Sequence, residues 1–163
     1  MTKTEIIKTF KNNILSIKDK KNENEIQSFL EENCDFIPTP YLRNHGLHFN
    51  FIFSKLAINE ELISDFFYLT KSSIEWVGVL IELEASSKKI FRNNKKDIQF
   101  SAEFNNAYDQ ILSWKAYLQK NHETFKRKFK NIMGHMYDNQ LSLKYYLIIG
   151  RSDEIDTQEN LDP

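Results

Sequence analysis

Apolar positions recur at helical spacing near the start of the chain: Ile6, Ile7, Phe10, Ile14 and Ile17 predict an amphipathic helix from Thr4 to about Ser16. The charged turn KDKKNEN follows. A second helix is predicted from about Glu23 to Asn33, with Ile26, Phe29 and Leu30 on one face, and Pro38 and Pro40 then punctuate a loop. From Leu47 the period changes from helical to two. In LHFNFIFSKL, Leu47, Phe49, Phe51 and Phe53 alternate with His48, Asn50 and Ile52, which predicts a strand. LISDFFYL (62–69) reads as a second strand and WVGVLIELE (76–84) as a third. The third is the most apolar segment of the chain, as expected of a central strand covered on both faces. A polar loop, rich in Lys and Asn, covers Ala85 to Phe100. A long helix is predicted from Ser101, as N-cap, to about Gln119, then a short basic helix from His122 to Asn131 and a last strand, LKYYLIIG (143–150). The order ααβββαβ, with a helical crossover before the last strand, suits a mixed four-stranded sheet flanked by helices.

The chain has 163 residues, the size of one ordinary domain. With 40% hydrophobic and 28% charged residues it can fill a core and stay compact; Phe (13) and Tyr (7) supply much of that core. Its net charge of −1 conceals an asymmetry. From Ser152 on, the tail carries Asp153, Glu154, Asp156, Glu159 and Asp162 and no Lys or Arg, leaving 22 basic against 18 acidic residues, or +4, elsewhere. We therefore expect a single domain over 1–151 and an acidic, flexible tail over 152–163. A mildly basic domain permits contact with nucleic acid. One cysteine, Cys34, excludes an intramolecular disulfide and argues against a cysteine-based zinc site; we expect it to be a buried thiol after a helix. There is neither a membrane-spanning apolar run nor a signal-peptide pattern, so we expect a cytoplasmic protein with no membrane association.

The third strand carries the chemistry. Alternation puts Gly78, Leu80, Glu82 and Glu84 on one face, so two carboxylates project together from the end of an apolar strand. Burying one is costly and placing two together adds repulsion. A divalent cation is the simplest compensation, and hard oxygen donors suit Mg²⁺ or Mn²⁺. A hairpin would bring Asp65 of the second strand beside them. Such a cluster can hold a metal that activates water for phosphodiester hydrolysis. The same residues also fit a structural charge network, with Glu84 in water at a strand end and Asp65 at a strand edge.

An Asp followed on the next strand by Glu-x-Lys is the PD-(D/E)xK nuclease pattern, and several segments resemble the Shedu nuclease domain in the same order. They are EIQSFLEEN (25–33), SKL (54–56), ISDFFYL (63–69), VLIELEASSKKIF (79–91), SAEFNNAYDQILSWKAYL (101–118) and YLIIGR (146–151). The likeness covers 25–151. It implies a restriction-endonuclease-like α/β (α+β) fold, metal-dependent cleavage of DNA in anti-phage defence, and a homo-oligomer. It also implies that Asp65 and Glu82 are metal-binding acids and that Gln110 matches a glutamine of the crossover helix, one turn before Trp114. The sequence departs from the pattern at Glu84, where the motif's lysine should stand. Three readings follow: Glu84 as an added metal ligand, Lys88 or Lys89 as a displaced lysine, or a degenerate nuclease fold that binds nucleic acid or protein without cleaving. A second departure is the ending: an acidic tail stands after YLIIGR where a further helix is expected.

Lys88, Lys89, Arg92, Lys95 and Lys96 crowd the loop after the acidic strand and are candidates for backbone phosphate contacts, against the alternative of a solvated loop. Lys126, Arg127, Lys128 and Lys130 read as a solvated helix face. His45, His48, His122 and His135 lack metal-ligand spacing, and His48 fits a satisfied core histidine. Trp76 and Trp114 read as core anchors. Glu25 and Gln27 are read as solvent-facing positions of the second helix, though helix acids in this nuclease superfamily sometimes lean toward the site. A small regulatory α/β domain with no nucleic-acid role is a further alternative; it predicts no basic surface next to the carboxylates.

Overall fold

In the computed structural model, residues 2–14, 22–92 and 99–150 are described. The chain forms two compact units. One draws on Met1–Ile37, Leu83–Tyr108 and Ile148–Pro163, the other on Pro38–Glu82 and Asp109–Leu147.

The second unit holds most of the sheet. β1 (Leu47–Ala57), β2 (Ile63–Lys71) and β3 (Glu75–Leu83) form an antiparallel meander, and β4 (Gln140–Ile148) lies beside β3 in the order β1-β2-β3-β4. Glu84 N–H, just past β3, donates to the carbonyl of Ile148 at the end of β4 (2.8 Å). The two strands thus finish together, and the sheet is mixed, as the helical crossover between them requires. β2 and β3 are buried almost throughout, which their near-continuous apolar sequence foretells.

Against one face of this sheet pack residues of the crossover: the long helix α3 (Ala102–Lys120), then α4 (His122–Arg127) and α5 (Lys130–Met133). Phe67, Leu69, Trp76 and Leu80 from the strands close on Ile111, Trp114, Leu118, Phe125, Phe129 and Met133. Gly78 is required here because a Cβ would come within 3.0 Å of Phe67 and of Leu143. Both tryptophans are core anchors at 0% exposure, and Trp76 Nε1–H donates to the Met136 carbonyl (2.8 Å). His48 is satisfied as expected, bonded to the Ile132 carbonyl (2.9 Å) and edge-on to Trp76. Tyr68 donates its hydroxyl to the Pro40 carbonyl; burial, with Tyr41 and Tyr146 nearby, pushes its phenol far up from the ordinary value.

The first unit contains α1 (Lys3–Thr9), which opens with a Thr2–Glu5 capping box and passes into a π-helical turn, Phe10–Ile14. It also contains α2 (Asn22–Glu32). Phe10 stacks on Phe29 with ring centres 4.4 Å apart. Ser101 caps α3 as predicted, its Oγ accepting from Phe104 N–H (2.9 Å) and donating to the Lys89 carbonyl.

Four expectations are corrected. The alternation in β1 fails: five steps from Leu47 to Ile52 answer only two along β2, and Phe49 and Asn50 adopt positive φ in the excess loop of strand. Phe49 and Phe51 consequently face solvent, while Phe53 packs on the core. Cys34 is exposed, because it sits in a 3₁₀ turn, Cys34–Phe36, beyond the buried face of α2. Gln27 is buried and bonded to Glu31 (2.8 Å), not solvent-facing; Glu25 is exposed. The basic helix is two short helices; Arg127, Lys128 and Lys130 are exposed, as a solvated face requires, and Lys126 is the exception. Lys126 is buried with its ammonium over the Tyr137 ring, and Lys128 Nζ donates to the carbonyls of Ala57 (2.7 Å) and Ile58 (3.0 Å).

Candidate functional site

The second unit brings a row of charge across three strands. β2 and β3 pair with Phe66 opposite Ile81. One step further along both strands sets Asp65 opposite Glu82, and directly opposed residues of an antiparallel pair project on the same face. That is the face of Phe67, Leu69, Trp76 and Leu80, so the two acids end the helix-covered side of the sheet. They are 8% and 6% exposed. On the other side of β2, the pairs Ser54–Phe66 and Leu56–Ser64 bracket Lys55 opposite Asp65. Lys55 Nζ forms an ion pair and hydrogen bond with Asp65 Oδ1. The order Lys55, Asp65, Glu82 therefore runs from edge strand to central strand.

Sequence reasoning missed Lys55. The residue lies within the SKL segment of the family likeness, but a lysine near the end of a strand ordinarily reads as solvated. A usable signal existed: once LISDFFYL and the strand before it pair as a hairpin, few basic residues can face Asp65. Lys55 also has φ +50, a left-handed backbone that is uncommon for any residue but glycine.

Glu84 is engaged in the first unit. It is 8% exposed, and Lys88 Nζ bonds its Oε2 while lying 3.5 Å from Glu23. Burial raises the Glu84 carboxyl above its usual range even against the Lys88 ammonium; repulsion from Glu23 adds to the rise. Burial alone would lower the Lys88 ammonium, but its hydrogen bond to Glu84 and the charges of Glu84 and Glu23 outweigh this and raise it. The strand end is tied down further by Asn22, which donates to Ser86 Oγ (2.5 Å) and accepts from Ser86 N–H (3.2 Å).

Among the other candidates, Lys89 and Arg92 are exposed in this unit, with Arg92 reaching Gln99 (3.4 Å). Lys95 and Lys96 lie outside the described residues. Gln110 is exposed on the flank of the α3 stripe formed by Ala107, Ile111, Trp114 and Leu118, whereas Trp114 is buried. Gln110 and Trp114 are thus one turn apart but unlike in environment. Among the described residues, no three His, Cys, Asp or Glu side chains gather closely enough to hold a metal ion. The pair that strand register sets side by side is Asp65 and Glu82. Two carboxylates are nonetheless what Mg²⁺ commonly takes from a protein, the remaining positions going to water and phosphate. Asp65 and Glu82 fit that donor set. Among the described residues, no helix is long and apolar enough to cross a membrane.

The family model described as Shedu protein SduA, C-terminal, matches residues 20–162. No curated protein matches the chain.

Proposed function

The chain belongs to the Shedu family of anti-phage defence proteins, matching the C-terminal part of SduA, and from that membership we propose that it is a metal-dependent nuclease that hydrolyses phosphodiester bonds of DNA. One observation carries the reading: Asp65 and Glu82, both nearly buried, stand opposite each other on neighbouring strands. Two carboxylates so placed repel each other and are poorly hydrated, so a cation that both can bind stabilises the arrangement. Asp65 and Glu82 would hold Mg²⁺ or Mn²⁺, and the ion would supply Lewis-acid polarisation of a phosphoryl oxygen. The apolar face behind the acids fixes their direction, since Phe67 and Leu80, the next residues inward on that face, are wholly buried. Exposed Lys89 and Arg92 would contact backbone phosphates, which carry affinity and not sequence preference.

The test is cleavage of supercoiled plasmid DNA with Mg²⁺ or Mn²⁺. Glu82→Gln keeps the shape of the side chain but removes the charge, and we expect at least a ~100-fold loss of cleavage with unchanged circular dichroism. Cleavage at the wild-type rate by a folded Glu82→Gln protein would falsify the assignment. A second reading, nucleic-acid binding without cleavage, draws on Glu84: where the resemblance implies lysine, the chain has a carboxylate already bonded to Lys88. That reading predicts DNA retention in a gel shift with no saturable Mn²⁺ binding by calorimetry.

A further inference from the structure

We propose that Lys55 is both the resident counter-ion of Asp65 and the cation that serves the reacting phosphate, in place of the lysine that Glu84 displaces. The inference rests on the nuclease reading above and deepens it. Lys55 and Asp65 meet across paired strands, with the Asp65 side chain 10% exposed and that of Lys55 53% exposed. The acid is fixed by the sheet while the lysine reaches it from solvent. An ion pair so exposed on one side is weak and reversible. Of the displaced-lysine candidates after β3, Lys88 is already committed to two acids, Glu84 and Glu23, and Lys89 is exposed, both in the first unit. The left-handed backbone at Lys55, between two regular strand pairs, is a locally unfavourable conformation of the kind that concentrates at functional positions.

The consequence is an exchange. Asp65 Oδ1 binds the Lys55 ammonium and would also be a ligand of a divalent ion held with Glu82. An ion held by Asp65 would compete with Lys55 for that carboxylate and leave the Lys55 ammonium beside the site. In hydrolysis a water oxygen forms the new bond to phosphorus and the bond to one sugar oxygen breaks. The leaving oxygen takes a proton from solvent, and the proton of the attacking water returns to solvent. Lys55 keeps its own proton throughout and stabilises the negative charge that builds on the phosphate oxygens.

This arrangement predicts effects of opposite sign, which a merely structural lysine would not give. Calorimetric titration with Mn²⁺ alone should show Lys55→Met binding at least about fivefold more tightly than wild type, because the competitor is gone, and Asp65→Asn losing binding. Plasmid cleavage by Lys55→Met should fall at least about 100-fold, with Lys55→Arg recovering part of it. Unchanged or weaker Mn²⁺ binding by a folded Lys55→Met protein overturns the counter-ion role, and wild-type cleavage by that variant overturns the catalytic one. If Lys55→Met does not fold, Lys55→Gln carries the same pair of measurements. Should wild type bind Mn²⁺ but cleave no DNA, the nuclease reading and the catalytic role of Lys55 fall together, while the affinity comparison still decides the counter-ion role.

Discussion

Lys88 serves two carboxylates at once, and its removal exposes how costly the strand end is. With Lys88→Met, the nearly buried Glu84 loses its hydrogen-bonded cation. We expect a loss of about 1–3 kcal/mol at neutral pH, read by urea denaturation. The pH dependence has a definite sign. The Lys88 value is raised, so its contribution is fully present below the ordinary lysine pKa and is lost as pH rises through the higher folded value. The Glu84 value is also raised, so the fold favours its protonated form; stability from this group is greatest in acid and declines as pH rises through its folded value. The gap between Lys88→Met and wild type should therefore narrow toward acid pH, where Glu84 is neutral in both, and Glu84→Gln in the Lys88→Met background should recover most of the neutral-pH loss. At this scale, Asp65 and Glu82 were legible because strand alternation fixes which side chains share a face. Lys55 was not, since its ion pair with Asp65 depends on a pairing register that no local pattern states. Cys34 and Gln27 were misjudged for a similar reason: one helix turn decides whether such a residue meets the core, and sequence places helix ends only to within a few residues.

The strands β2 and β3 were legible as elements because their apolar runs leave few alternatives. β1 was not, because its extra residues invert the parity of everything before Ile52. The inversion makes a direct comparison possible. Phe51→Ala should change stability by no more than about 0.5 kcal/mol, whereas Phe53→Ala, which strips a ring packed on Phe67 and Phe129, should cost about 2–4 kcal/mol. Equal effects in thermal unfolding would contradict the register. Gly78→Ala tests the crossing of β2, β3 and β4 from the other direction. A methyl group there must push aside the Phe67 ring and the Leu143 side chain, both at 3.0 Å, and we expect about 1–3 kcal/mol of destabilisation by denaturant titration. The break between α4 and α5 left no breaker signal, since neither Gly nor Pro stands between Lys120 and Met133. There Lys128 bonds to the carbonyls at the end of β1, a tertiary demand that overrides local helix preference.

At the scale of the whole molecule, composition and charge predicted a single folded domain but carried no information on how the chain divides. The structure gives two compact units, and three of the four boundaries between them fall inside elements, after Glu82 in β3, after Tyr108 in α3 and after Leu147 in β4. Divalent-ion binding should be visible in global stability, because ions that bind only the native protein stabilise it by mass action. Mn²⁺ at 100 times its Kd should add about 2.7 kcal/mol to wild type in urea titration and nothing to Asp65→Asn. No shift in wild type at saturating Mn²⁺ would remove the basis for a metal site at Asp65 and Glu82.

The interleaving of the two units has a practical result. The backbone passes from one to the other four times, after Ile37, Glu82, Tyr108 and Leu147, so no single cut can release either unit whole. Truncation after Glu82 or Tyr108 splits both units, and truncation after Ile37 or Leu147 splits the first while leaving part of it attached to the second. Each unit must instead be gathered from segments far apart in sequence, which makes long-range closure, not local helix formation, the step that sets the speed of folding.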